Sequence, residues 1–207
     1  TALLLDEYKW MIRGIEQVDS FVFNPHKWMF TNFDCSAYFV KDKELLINTF
    51  SVNPEYLRTK SAGKVNDYRD WGIPLGRRFR ALKLWFVIRS FGVDGLVEKI
   101  RQHIALAALL ESWVHADEQF EVITPRTMNL VCFRYRPAGM NDTESLNALN
   151  EKLLHELNGT GKVYLSHTKL NGVYTLRMVT GQTRVDEHHV REAWELIKKT
   201  AGQLGKN

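Results

Sequence analysis

The sequence predicts a mixed α/β chain in two parts: strands and helices over residues 1–91, then a long helix and a small α+β layer over 92–207. Three observations predict it. Short aromatic and β-branched runs bounded by turn residues open the chain, and apolar residues at helical spacing fill its middle. From Leu130 onward the pattern reads strand, helix, strand, strand, helix. With 207 residues, 44% hydrophobic and 12% aromatic, the chain is long enough to bury a real core.

Glu7 to Gln17 has helix-forming composition, with Trp10, Met11 and Ile15 at roughly helical spacing. Ser20–Phe23 reads as a strand that Pro25 ends, and Cys35–Val40 as a second, leaving to solvent at Lys41-Asp42-Lys43. Between about Ser51 and Trp71 periodicity vanishes, as in a lid or binding loop. After Pro74 and Gly76 a helix is expected to about Phe91, with Phe79, Leu82 and Phe86 on one face. Gly92 breaks it and Asp94 can cap the next, which runs to about His115 with Leu96, Ile100, Ile104 and Ala108 at four-residue intervals. Strand Leu130–Tyr135 follows, then a helix with Leu146, Leu149, Leu153 and Leu157. Strands Val163–Ser166 and Val173–Val179 come next, and Asp186 opens a closing helix with Val190, Trp194 and Ile197.

Several function classes find no support. A net charge of +4, spread along the chain, does not call for nucleic acid or an anionic membrane. The longest purely apolar run, Ile104 to Leu110, is far too short to span a bilayer, and the first ten residues lack the basic start of a signal peptide. Cys35 and Cys132, each in an apolar run, suggest reduced buried thiols and a cytoplasmic protein. The stretch "NGTGKV" (158–163) lacks the spacing and hydroxyl of a phosphate loop and reads better as a helix end. His188 and His189 are adjacent, about 100° apart on a helix, and cannot chelate one metal together. The "RRFR" of 77–80 reads as the first turns of an amphipathic helix with a solvated side.

Lys27 in "NPHKW" (24–28) is different. A lysine rarely sits where a strand ends and core begins, because its ammonium is costly to dehydrate. Pro25 stiffens the turn, Asn24 and His26 are polar, and Trp28-Met29-Phe30 supplies an apolar wall. Held against that wall, the amine would be neutral often enough to attack a carbonyl, as a Schiff-base lysine must. The alternative is a stem packed on Trp28 with its ammonium reaching water.

"NPHKW", then "NFDCSAYFV", "NPEYL" and "DYRDWGIPLGRRFRALKLWFVIRSFGV", in this order, resemble the pyridoxal-phosphate-dependent group II amino-acid decarboxylases, in the aromatic L-amino-acid decarboxylase branch. The resemblance runs nearly the whole chain and is densest between Asp19 and Val93. It implies the C-terminal part of a fold-type I large domain, followed by a small α+β domain. It implies that Lys27 carries pyridoxal 5'-phosphate covalently, that Asn24 contacts its phosphate, and that His26 lies close by. It implies that Tyr56 of "NPEYL", on a mobile loop about 51–71 that closes over the neighbouring subunit of a homodimer, returns a proton to Cα. Aldehyde-forming relatives carry phenylalanine there, so tyrosine favours the amine. Gly76, where histidine-decarboxylating relatives tend to have serine, leaves room for a catechol or indole ring, and His26, where those relatives have serine, also sides with the aromatic branch.

The family's aspartate for the pyridine nitrogen lies in a segment just upstream of Thr1, and the histidine that stacks on the ring lies further upstream. The expectation is therefore a lysine-bearing portion that needs the missing N-terminal half to hold cofactor and turn over, and that exposes an apolar face without it. The expected reaction converts an aromatic L-amino acid (DOPA, 5-hydroxytryptophan, tryptophan or tyrosine class) to amine and carbon dioxide. A relative acting on histidine or an acidic amino acid, and a non-catalytic assembly subunit, stay open.

Overall fold

The structure, a computed structural model, describes residues 1–52 and 65–205. They divide into two units, Thr1–Leu96 and Val97–Asn207.

The first unit opens with 3-10 turns rather than the α-helix expected over Glu7–Gln17. They span Ala2–Leu4, Asp6–Ile12 and Ile15–Gln17, and Gly14 separates the last two in the left-handed region at φ 87°. That conformation suits glycine and interrupts an α-helical ladder. Trp10 and Met11 are consequently exposed, while Leu5 is fully buried. Strands β1 (Ser20–Phe23) and β2 (Ala37–Val40) form an antiparallel pair in the register Ser20–Val40, Phe21–Phe39, Val22–Tyr38, Phe23–Ala37. The second strand is shorter than Cys35–Val40 because Cys35 and Ser36 use their polar groups on the loop. On one face Phe21, Phe23 and Phe39 cluster, with Phe23 and Phe39 stacked at 6.3 Å. Helix α1 (Lys43–Phe50) was not foreseen. Its signal was Asp42, whose carboxylate accepts from the amides of Glu44 and Leu45. Tyr56 lies outside the described residues. Tyr68–Trp71, within the stretch read as aperiodic, is a 3-10 turn capped by Asp67.

Helix α2 (Arg80–Ala116) changes direction at Gly92, whose φ 66° and ψ 178° are not helical, as the sequence break implied. It starts at Arg80, so Gly76 to Phe79 precede it. The expected stripe Leu96-Ile100-Ile104-Ala108 holds only at its start. Four residues turn the helix 400°, so a strict four-residue repeat drifts by about 40° a step. Leu96 and Ile100 are buried, but the core face then passes to Leu106, Ala107, Leu110 and Val114.

The second unit carries a four-stranded antiparallel sheet in the order β3-β4-β6-β5: β3 Phe120–Thr127, β4 Leu130–Tyr135, β5 Ser166–Leu170, β6 Val173–Val179. Strands β4 and β6 match their expected limits. Strand β3 was missed because Pro125 demotes it in sequence, and it is indeed an edge strand with a broken register. Strand β5 begins where Val163–Ser166 was expected to end, since Asn158 captures both backbone groups of Leu165 and holds that stretch as a loop. Helices α3 (Thr143–Gly159) and α4 (Glu187–Leu204) start on Asp142 and Asp186, each accepting a backbone amide. Phe133, Leu176, Leu153, Leu157, Trp194 and Ile197 make one core with the C-terminal half of α2.

Two asparagines of α3 finish this sheet. The β4–β6 ladder stops at Phe133–Leu176. Beyond it, Asn150, fully buried, accepts from the Tyr135 amide at 2.8 Å and donates to the Tyr135 carbonyl at 2.8 Å. Asn147 accepts from the Tyr174 amide at 2.7 Å and donates to the Gly172 carbonyl at 2.8 Å. Buried backbone groups left unpaired where the strands part would be costly, and these side chains replace the missing ladder. Among the described residues no helix is long and apolar enough to cross a membrane.

Candidate functional site

The candidate site hangs on the loop between β1 and β2. Its first four residues form a turn in which the Lys27 amide donates to the Asn24 carbonyl at 3.0 Å. A bond of this kind keeps the first and fourth Cα atoms within about 7 Å, so Asn24 and Lys27 share one turn. Pro25 inside it is buried, and its carbonyl accepts from the amide of Thr31, closing the loop back on itself.

His26 is pinned across the loop. Its backbone amide donates to the Cys35 carbonyl at 3.2 Å, while ring atom Nδ1 lies 2.8 Å from that carbonyl and 3.1 Å from the Cys35 amide. Whichever ring nitrogen carries the proton, Cys35 engages Nδ1, and Nε2 is the atom left for a ligand. The edge of the Phe33 ring meets the imidazole at 4.9 Å. Asn24 is held from the other side, where the Ser36 hydroxyl donates to Oδ1 at 2.6 Å.

The loop is fastened to the start of α2. Arg80 Nε donates to Asp34 Oδ2 at 3.0 Å, and the Cys35 thiol lies 3.8 Å from the Arg80 carbonyl. The hydrogen bond from Arg80 holds the Asp34 carboxyl below the usual carboxylate range, with burial opposing it weakly. Phe30 meets Phe91 at 5.6 Å, which turns that ring toward the helix. Lys27 is exposed, not buried against an apolar wall. The turn swings its side chain outward and leaves it exposed, with no hydrogen bond or ion pair at Nζ among the described residues.

Asn24, His26 and Lys27 are thus brought together, and Tyr56 lies outside the described residues. Gly76 is exposed, in the irregular segment before α2. A Cβ added there would meet nothing within 4 Å, so the local backbone does not itself demand glycine. Ser36, Asp34 and Arg80 were missed in sequence. For Ser36 the signal is the β1–β2 register, because continuing it one step sets Asn24 opposite Ser36.

A nucleophilic amine, an amide donor and an imidazole on one small turn are the groups a phosphorylated aldehyde would need. Residues 1–136 match the model of the pyridoxal-dependent decarboxylase conserved domain. The chain belongs to the pyridoxal-dependent decarboxylase family. Over 209 residues this chain is 47% identical to tryptophan decarboxylase 2 of Oryza sativa subsp. japonica, covering 100% of itself and 42% of that protein. Tyrosine decarboxylase 1 of Narcissus pseudonarcissus is 44% identical over 211 residues, 99% of this chain and 41% of its own. The crystal structure of Oryza sativa TDC with PLP and tryptamine superposes with a TM-score of 0.88 at 43% identity, covering 96% of this chain and 41% of that one. The chain thus spans about two-fifths of the relatives it matches.

Proposed function

We propose that this chain is the lysine-bearing portion of a pyridoxal 5'-phosphate-dependent decarboxylase that converts an aromatic L-amino acid to its amine and carbon dioxide. The proposed fold is the C-terminal part of a fold-type I cofactor domain followed by a small α+β domain. The observation that carries the reading is the Asn24–Lys27 turn, which joins an exposed amine to an amide and a pinned imidazole. Relatives named for tryptophan and tyrosine support the aromatic class of substrate.

Lys27 would hold the cofactor covalently through Nζ, Asn24 would donate to its phosphate, and His26 would present Nε2 beside it. Bound there, the cofactor supplies a sink for the electron pair left when carbon dioxide departs. Tyr56 would then deliver a proton to Cα, and closure of its loop would exclude water that could protonate another atom. Gly76 would leave space for the aromatic ring. The remaining ring contacts would come from the N-terminal part of the subunit, and the working assembly would be a homodimer in the cytoplasm. Two buried, unpaired cysteines fit a reducing compartment.

Borohydride reduction of the complete subunit with cofactor, followed by peptide mass analysis, tests the reading. A pyridoxyl label on Lys27 is expected, with amine formed from tryptophan, tyrosine, DOPA or 5-hydroxytryptophan. No label on Lys27 would overturn it, and amine from histidine alone would move the substrate class.

A further inference from the structure

The β1–β2 pairs all follow one rule, Ser20–Val40 through Phe23–Ala37, and the next rung is Asn24–Ser36. At that rung no backbone pair is made; a side-chain bond takes its place, from Ser36 Oγ to Asn24 Oδ1 at 2.6 Å. A serine oxygen can also accept from a carboxamide N–H, but here the Ser36 hydroxyl donates to the carboxamide oxygen, and with this bond made the amide faces one way. With Oδ1 occupied, both Nδ2 hydrogens are released on the other side. An amide in this orientation is a donor to an anion; turned over, it would present a lone pair and repel one.

We propose that Ser36 is a positioning residue that fixes the Asn24 carboxamide as a donor to the cofactor phosphate. The inference rests on the proposed role of Asn24 at that phosphate. Ser36 itself is exposed, and among the described residues its hydroxyl makes no hydrogen bond other than the one to Asn24. The neighbouring bonds of His26 to Cys35 and of Asp34 to Arg80 keep the loop in place without it.

The test uses the complete subunit and two aldehydes, pyridoxal 5'-phosphate and pyridoxal, which differ only in the phosphate. Ser36→Ala is expected to weaken the phosphorylated aldehyde about fivefold, the weight of one net hydrogen bond, and to leave pyridoxal binding unchanged. Ser36→Thr, which keeps the hydroxyl, should restore wild-type affinity. In an Asn24→Ala background, Ser36→Ala should cost nothing further. Equal losses for both aldehydes, additive losses in the double variant, or no loss at all would overturn the proposal. Failure of the functional reading looks different: neither aldehyde would bind the wild-type subunit more tightly than Lys27→Ala, and the proposal would fall with it.

Discussion

Lys27 and Asn24 stand at the two ends of one turn, and the amine is the more testable of the pair because it alone can form the covalent link. Lys27→Ala is expected to abolish the pyridoxyl label and the visible absorbance of the cofactor-loaded subunit, while its far-UV circular dichroism stays unchanged because the side chain is exposed. Tyr56→Phe is expected to lower amine output and raise aldehyde, measured by product analysis with an aromatic substrate. Undiminished amine would remove Tyr56 from the proton-delivery step. Asn24, His26 and Lys27 could be grouped from the sequence because they fall within four consecutive residues, which the structure folds into one turn. Ser36 could not be, because it reaches Asn24 across a loop and only the strand register brings the two together. Of the two readings open for Lys27, its exposure fits the ammonium reaching water, and the Phe30–Phe91 contact beside it is one that no local pattern announces.

At the scale of elements, Asn150 is the strongest prediction. Asn150→Leu keeps the branched shape but strands the Tyr135 amide and carbonyl, and should destabilise the protein by about 2–4 kcal/mol in urea unfolding. His103 on α2 supplies a pH dependence. It is fully buried, and burial, the largest influence, pushes its pKa below the usual histidine value. A depressed folded pKa means the unfolded chain binds the proton first. The stability His103 contributes is therefore present above about pH 6.5 and lost as pH falls toward the folded value. Urea midpoints measured from pH 7.5 to 5 should fall, and His103→Gln should flatten that fall. Helices α3 and α4 and strands β4 and β6 were readable because their core faces keep a clean period and their ends carry Asp142, Asp186 or turn residues. The stretch 7–17 was misjudged because Gly14 takes a conformation that composition alone does not reveal.

At the scale of the molecule, the two units present very different surfaces. Among the described residues, the only exposed large apolar side chains of Val97–Asn207 are Tyr164 and Val179, whereas Thr1–Leu96 exposes Trp10, Phe33, Ile73, Phe79, Trp85 and many more. Apolar surface on that scale belongs against other protein. Residues 97–207 expressed alone should be soluble and melt cooperatively, while the 207-residue chain should bind a hydrophobic dye strongly and associate, as light scattering would record. Addition of the N-terminal half should suppress both. The hairpin in that first unit has a consequence of its own. If its strands mispaired by a single residue, Phe23 would face Ser36 and the amide would lose its partner, while the rings of the slipped strand would turn to the face away from those of the other. The clustered phenylalanines thus act as a ratchet tooth: grease on one side of a short ribbon keeps chemistry aligned at its tip.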